Sequence, residues 1–352
     1  MDWKTTLTSA VSTKRGIPQF ARSLKQTATS KRGITVILVI FLVFFNVLPM
    51  GSVLLASFYG AGYSLFEEFT LANWDVVLQQ EFYVIWNTVL YTLGAAFLAT
   101  SLSAAIGWAI ARTDAPLGTF YYYTLLFTFF LPPVVTEHVW IRLLGEGGLY
   151  PHLLDIESLP IFTLGGMAVL QGIRLVPLGI LLLLPLYSGI DRSLEEVSRI
   201  SGAGILTTAR KITLPLLLPG LAAVFIFSLI ISIGSFRIPL IIGIPAQIRV
   251  LATDIFVQTS TTPVEFGVAM AQGTLMIAIA LPLLFAYKRY LGKAEKYSTV
   301  SGRGYTRRPT QLGKWKFLVS GLVGGYVLLT MIIPVSLMVY TSLIPFYVPP
   351  HT

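Results

Sequence analysis

Long apolar runs separated by charged segments dominate this sequence and restrict the folds open to it. A helix needs about 20 mostly apolar residues to cross the hydrocarbon core of a bilayer. About seven segments meet that length, which predicts a polytopic bundle of transmembrane helices. We place the predicted spans near residues 34–57, 84–111, 119–142, 161–186, 216–243, 266–287 and 317–341.

The composition supports a membrane protein of the all-α class. Hydrophobic residues make up 55% of the chain and charged residues only 12%, whereas soluble domains contain about 25% charged residues. So few charges leave too little polar surface to cover a water-soluble globule. The chain contains no cysteine, which excludes disulfides, thiol catalysis and thiolate metal sites.

The charges alternate in sign from one loop to the next and predict the orientation. If the N-terminus is cytoplasmic, the inside segments hold most of the basic residues, namely Arg112, Arg192, Arg199, Arg210, Lys211, Lys288, Arg289, Lys293, Lys296, Arg303, Arg307, Arg308, Lys314 and Lys316. The outside loops then hold the acids Glu67, Glu68, Asp75, Glu81, Glu146, Asp155, Glu157, Asp254 and Glu265. This positive-inside pattern predicts a multi-pass membrane protein with a cytoplasmic N-terminus. The basic residues form no stripe with interleaved aromatics, so we expect no nucleic-acid partner.

Four segments follow from this topology. Residues 1–33 are predicted to form a basic cytoplasmic arm that lies partly on anionic membrane lipid. Residues 34–290 hold six spans and a cytoplasmic loop at 188–215. Residues 291–316 form a basic cytoplasmic linker, and residues 317–352 hold the seventh span.

The loop at 188–215 is too polar to span the membrane and too ordered in its pattern to be a plain linker. Ser193 followed by Glu196 forms a capping box, which predicts a helix that starts at Ser193. Three residues give this helix an apolar face, namely Leu194, Val197 and Ile200. Gly202 and Gly204 then predict a sharp turn, after which a second short helix leads into the next span.

The same loop resembles the signature loop of the permease subunits of ABC importers. That pattern is Glu-Ala-Ala, three residues, Gly, nine residues, Ile, any residue and Leu-Pro. Five positions match it, namely Glu196, Gly202, Ile212, Leu214 and Pro215, while Val197 and Ser198 replace the two alanines. The resemblance implies a pair of coupling helices that dock on a separate ATPase subunit through Glu195, Glu196, Gly202, Ala203, Gly204, Ile212, Leu214 and Pro215. It also implies a location in a bacterial inner membrane, a second permease half or a homodimer partner, and an extracytoplasmic substrate-binding protein.

Two further stretches, at residues 235–246 and 250–256, resemble iron(III)-type permeases, which are often two permease halves fused in one chain. The basic segment 301–309 is similar to the joint between such halves. The seventh span would then be the first helix of a second half, and the chain a truncated or split form of a fused permease. Iron(III) is the first substrate that the resemblance implies, while thiamine, phosphonate and polyamine importers have related permeases.

The sequence lacks three motifs that are typical of nucleotide-binding proteins and hydrolytic enzymes. It has no phosphate-binding Gly-x-x-x-x-Gly-Lys-Ser/Thr loop, no His-Glu-x-x-His and no Gly-x-Ser-x-Gly. We therefore predict no catalytic, cofactor or metal residue, and a transport subunit whose ATP hydrolysis takes place on a partner chain.

Ionisable residues inside predicted spans are costly and usually face the bundle interior. Arg174, Arg237 and Glu137 are the candidates for a translocation pathway, where two arginines would favour an anion or an anionic iron chelate. A structural role in helix packing, or snorkelling of Arg237 to the outer surface, is the alternative. An ion-gradient-driven secondary transporter is a second hypothesis, although the mid-span carboxylates that it predicts are nearly absent. A membrane-embedded enzyme or assembly factor is a third, but it lacks a visible catalytic constellation or interaction domain.

Overall fold

The computed structural model describes residues 31–59, 69–145, 148, 150–151, 155, 159–190, 192–298 and 309–343. These ranges are predominantly helical and contain no extended strand. In chain order the helices are α1 (Gly33–Ala56), α2 (Ala72–Asp75), α3 (Phe82–Arg112), α4 (Gly118–Phe127), α5 (Pro133–Leu144), α6 (Leu164–Gly189), α7 (Arg192–Ile200), α8 (Leu206–Ile233), α9 (Leu251–Ser260), α10 (Phe266–Ser298) and α11 (Trp315–Leu343). Most of the predicted arm, residues 299–308 of the linker and residues 344–352 lie outside the described ranges.

Six of the described helices are long and apolar enough to cross a membrane, namely α1, α3, α6, α8, α10 and α11. The predicted all-α polytopic bundle is therefore confirmed. α1 forms a compact unit of its own, and the remaining helices belong to a second unit that starts at Ser57.

The predicted third span, 119–142, is a broken segment instead of one continuous helix. α4 continues through a 3₁₀ turn at Thr128–Phe130 and then stops, because Leu131 and Pro132 adopt extended backbone conformations. A residue before proline is disfavoured in the helical region, and proline is favoured in the first turn of a helix. The pair Pro132-Pro133 therefore ends one helix and starts α5.

The fifth span begins earlier than the sequence indicates. The predicted second short helix of the loop, from Ile205, is continuous with α8, and a π-helical turn at Ala209–Thr213 joins them. Pro215 and Pro219 thus lie within one long helix, which ends at Ile233 and not near residue 243. Residues 239–243 form a separate π-helical turn.

Small residues allow α3 and α6 to approach closely at the centre of the second unit. A Cβ atom at Gly172 would lie 2.9 Å from Leu98 Cβ, and one at Gly179 would lie 2.7 Å from Ser103 Cβ. Ser103 Oγ also donates a hydrogen bond to the carbonyl of Val176 (3.0 Å). In the absence of a hydrophobic driving force between helices in lipid, such close packing and interhelical hydrogen bonds are what hold spans together.

α11, the last described helix, packs against the same core. Val323 and Val327 are buried in one apolar cluster with residues of α3, α4 and α6. Ser320 Oγ donates to the carbonyl of Pro116 (2.9 Å), and Tyr326 Oη donates to the carbonyl of Ile173 (3.1 Å). α11 is therefore part of the second compact unit and not a detached anchor.

A polar cluster holds α9 against the start of α3 and α10. Glu81 Oε1 accepts a hydrogen bond from Gln258 Nε2 (2.7 Å), and Glu81 Oε2 accepts one from Gln272 Nε2 (2.8 Å). Gln272 Nε2 also donates to Asp254 Oδ2 (2.6 Å), and Arg249 Nη1 lies 3.3 Å from Asp254 Oδ1. Burial and the adjacent Asp254 carboxyl raise the pKa of Glu81 to about 7.

Candidate functional site

The loop at 188–215, which we call the signature loop, lies at the end of the bundle where α3 finishes and α8 starts. α7 forms its first helix and begins at Arg192, one residue before the predicted start. Gly202 follows with a φ of +85°, and nothing lies within 4 Å of a Cβ atom placed there. The predicted glycine turn is confirmed, because this left-handed conformation strongly favours glycine.

The outer surface of the signature loop carries exposed apolar side chains. The predicted apolar face of α7 is turned away from the bundle, so that Val197 is 62% exposed and Ile200 is 86% exposed. Leu206, on the other side of the turn, is 82% exposed. Exposed apolar side chains that cluster on one surface mark a contact site for another molecule.

The polar side of α7 faces inward instead. Glu195 Oε1 accepts a hydrogen bond from Thr213 Oγ1 (2.8 Å) and lies 2.6 Å from Arg112 Nη2. Ser198 Oγ and Thr208 Oγ1 are 3.0 Å apart and form a hydrogen bond. α7 is thus fixed to the spans by polar contacts, while its apolar residues remain exposed.

The predicted coupling residues therefore occupy different environments. Glu196, Gly202 and Gly204 are exposed and Ala203 is half-buried, whereas Glu195 is only 15% exposed and faces the bundle. The other three predicted residues, namely Ile212, Leu214 and Pro215, belong to α8. Leu214 and Leu206 line a groove of about 710 Å³ between α3 and α8.

The three candidate pathway residues meet in space, although they lie far apart in the sequence. Glu137 Oε1 is 3.8 Å from Arg174 Nη1 and 3.8 Å from Arg237 Nε. Within the described part of the chain, neither carboxylate oxygen of Glu137 receives a hydrogen bond. Glu137 is buried, whereas the side chains of Arg174 and Arg237 are 34% and 41% exposed.

The break between α4 and α5 creates the space beside this cluster. Leu131 at the break lines a cavity of about 80 Å³ together with Thr136, Glu137, Arg174 and Tyr326. Interrupted helices are tolerated at membrane depth where they line a cavity or are buried in protein. The broken segment therefore places Glu137 at a cavity that Arg174 also lines, and Arg237 reaches the same carboxylate.

Metal binding by acidic or histidine clusters finds no support in the described residues. No group of three or more His, Cys, Asp or Glu side chains among them is arranged to hold a metal ion. Glu81 and Asp254 are close together, but their partners are the amides of Gln258 and Gln272 and, for Asp254, the guanidinium of Arg249.

Comparison with known proteins identifies the family. The chain is 30% identical over 268 residues to the spermidine/putrescine transport system permease protein PotB of Haemophilus influenzae, which covers 71% of this chain and 90% of that protein. The chain belongs to the ABC importer permease family. It is also 26% identical over 282 residues to the ferric transport system permease protein FbpB of Actinobacillus pleuropneumoniae, over 77% of this chain. Family membership weighs against the ion-gradient-driven transporter and the membrane-embedded enzyme.

The alignments with the ferric relatives cover most of this chain but less than half of each relative. This permease spans 39% of the Actinobacillus protein and 46% of a ferric permease of Haemophilus influenzae. A solved structure, that of a bacterial alginate ABC transporter in complex with an alginate pentasaccharide-bound periplasmic protein, has a similar fold. It superimposes with a TM-score of 0.59 at 15% identity, over 80% of this chain and 97% of that one. No protein-family model matches the chain.

The sequence patterns do not indicate the roles of two residues of the site. Arg112 counts only as one of many inside charges in the positive-inside pattern, but it is 2% exposed and paired with Glu195. Thr213 occupies the variable position between Ile212 and Leu214 in the signature pattern, although its hydroxyl donates a hydrogen bond to the Glu195 carboxylate. A signal for Arg112 is its position at the end of a long apolar segment that holds no other charged residue.

Proposed function

We propose that this permease forms the translocation pathway of an ATP-driven importer and takes its energy from a separate ATPase subunit that docks on the signature loop. The exposed apolar surface of α7 and its turn carries this proposal, because Val197, Ile200 and Leu206 are apolar yet largely exposed on a loop that is rich in polar residues. Glu196 lies on the same exposed helix and supplies a charge for orienting the partner.

The proposed orientation places the signature loop on the cytoplasmic side. The dense basic segments of the sequence then fall inside, as the positive-inside rule requires. The opposite end, where Glu81 and Asp254 lie, would face outward and meet the substrate-binding protein. A second permease half or a second copy of the chain would complete the pathway. The division into arm, six-span domain, linker and seventh span stays a prediction.

We further propose that the substrate passing the cavity is an anion or a metal held in an anionic chelate. Arg174 and Arg237 are partly exposed, and neither donates a hydrogen bond within the described residues. Each guanidinium carries five donors that suit carboxylate or phosphate oxygens. Glu137 balances one of the two positive charges, so the cluster keeps a net positive charge that disfavours polyamine cations.

The docking proposal is tested by capture of the ABC ATPase subunits of the source organism on the detergent-solubilised permease. Gly202→Asp places a charge and a strained backbone in the middle of the proposed contact surface. Gly313→Asp is the matched control, because Gly313 is also exposed, has a φ of +58° and has nothing within 4 Å of a Cβ position.

We expect the wild type and Gly313→Asp to capture the same ATPase subunit, and Gly202→Asp to lose at least about tenfold of that capture. If Gly202→Asp captures as much ATPase as Gly313→Asp, the turn is not at the contact surface. If no ATPase subunit binds the wild type, the docking proposal is wrong.

A further inference from the structure

Arg112 is the last residue of α3, and it is buried where an exposed charge was expected. Arginine at the end of a membrane span usually extends its charged group to the aqueous surface. The side chain of Arg112 is only 2% exposed and is among the largest fully buried side chains of the described chain. A buried charge is tolerated only where it is paired and hydrogen-bonded, so its partners define its role.

The first partners of Arg112 are at the end of α6. Arg112 Nη1 donates hydrogen bonds to the carbonyl oxygens of Tyr187 (3.1 Å) and Ile190 (3.2 Å). The final carbonyl groups of a helix lack partners within the helix and carry a partial negative charge. Arg112 therefore caps α6 from α3 and joins the ends of these two spans.

The second partner of Arg112 belongs to α7. Its Nη2 atom lies 2.6 Å from Glu195 Oε1, and the same oxygen accepts the hydrogen bond from Thr213 of α8. A single carboxylate oxygen thus meets a charge from α3 and a hydroxyl from α8. Arg112, Glu195 and Thr213 form a unit that we call the Arg112 clamp.

The clamp holds one side of α7 against the spans, while the opposite side of α7 is exposed. The apolar face of α7 is exposed, while its clamp residue Glu195 is held by α3 and α8, and Arg112 links the pair to the end of α6. A force that displaces α7 must therefore either move α3, α6 and α8 together or separate a buried ion pair. Separating such a pair leaves an uncompensated charge, which is strongly unfavourable.

We propose that Arg112 is a positioning residue that transmits movement of α7 to the ends of α3, α6 and α8. This inference rests on the proposed function, in which an ATPase subunit docks on the exposed face of α7 and moves it. Arg112 does not touch the ATPase in this scheme. In this scheme Glu196 and Gly202 contact the ATPase subunit, whereas Arg112 and Glu195 transmit the movement of α7 to the spans.

The test measures docking and transmission separately in the detergent-solubilised permease–ATPase complex. Because the chain has no cysteine, Thr330→Cys provides a single reporter thiol at the internal cavity. Its reaction rate with N-ethylmaleimide is measured with and without ATP and Mg²⁺, and capture of the ATPase subunit is measured in parallel. Arg289→Gln is the control, since Arg289 is an exposed cation at the end of another span.

In the Thr330→Cys parent and in Arg289→Gln we expect ATP to change the labelling rate. Glu195→Gln should still capture the ATPase subunit but lose at least about fivefold of the ATP-dependent change. The double variant Arg112→Gln/Glu195→Gln removes both buried charges, so it should recover the thermal stability that Arg112→Gln alone loses. Its ATP response should stay lost, which a purely structural role for the clamp does not predict.

The outcomes separate the two proposals. If Glu195→Gln and the double variant respond to ATP as the parent does, the clamp does not transmit movement and only the inference about Arg112 is overturned. If the parent captures no ATPase subunit, the proposed function fails and the inference fails with it.

Discussion

Close contact between α3 and α6 makes Gly179→Ala a sensitive test of the packing. A Cβ atom at residue 179 would overlap Ser103 Oγ, and would lie 2.7 Å from Ser103 Cβ and 3.2 Å from Val224 Cγ1. The hydroxyl could rotate away only by giving up its hydrogen bond to Val176. Its Cβ cannot move without the backbone of α3.

The expected cost follows from three contributions. Overpacking costs about 1–3 kcal/mol, and the lost hydrogen bond adds about 1 kcal/mol. Alanine recovers about 1 kcal/mol through its higher helix propensity. We therefore expect Gly179→Ala to lower the free energy of unfolding by about 2 kcal/mol, which corresponds to a drop of several degrees in Tm.

Thermal unfolding in mild detergent, followed by size-exclusion chromatography, measures this change. Gly325→Ala in α11 is the matched control, because nothing lies within 4 Å of a Cβ atom there, and its Tm should be unchanged or higher. The swap Ser103→Gly/Gly179→Ala removes the overlap and should recover part of the loss. Equal Tm values for Gly179→Ala and Gly325→Ala would refute the close approach of the two helices.

Two further predictions concern charged groups. The pKa of Glu81 is about 7, above its ordinary value of 4.5, so the folded state holds its proton over that range. The wild type should therefore lose stability relative to Glu81→Gln as pH rises from about 4.5 to about 7, by about 1–2 kcal/mol after allowance for partial exposure. Parallel stability curves for the two proteins, measured by thermal unfolding from pH 5 to pH 8, would contradict this. In the reconstituted importer, Arg174→Gln/Arg237→Gln should lower uptake of iron(III) citrate by about tenfold or more and leave uptake of spermidine, a cation that the two arginines disfavour, unchanged or higher. Unchanged uptake of iron(III) citrate would argue against anion selection.

The number and length of most spans could be predicted from the sequence, because span length is fixed by the bilayer and not by neighbouring helices. The third span was the exception. The sequence predicts one continuous span at 119–142, whereas the full break at Pro132 and Pro133 between α4 and α5 depends on the cavity that the break lines. Periodicity and hydropathy carry no information about such a cavity.

The candidate site was predictable in its residue types but not in its contacts. The apolar face of α7 was predicted, yet only the structure shows that this face is exposed while Glu195 points to Arg112. The pair Gly321 and Gly325 has the spacing typical of close helix packing, but nothing lies within 4 Å of either glycine's Cβ position in the described structure. Close packing occurs instead at Gly172 and Gly179, which no short motif marks.

Site-directed crosslinking from the signature loop tests the proposed docking most directly. Since the chain has no cysteine, Ala203→Cys and Thr261→Cys each provide a single attachment point for a photoreactive thiol reagent, one on the glycine turn and one beside α9. After assembly with the ATPase subunit and illumination, we predict an ATPase adduct from residue 203 and none from residue 261. An adduct from residue 261 alone, or none from residue 203 in a complex that hydrolyses ATP, would contradict docking on the signature loop.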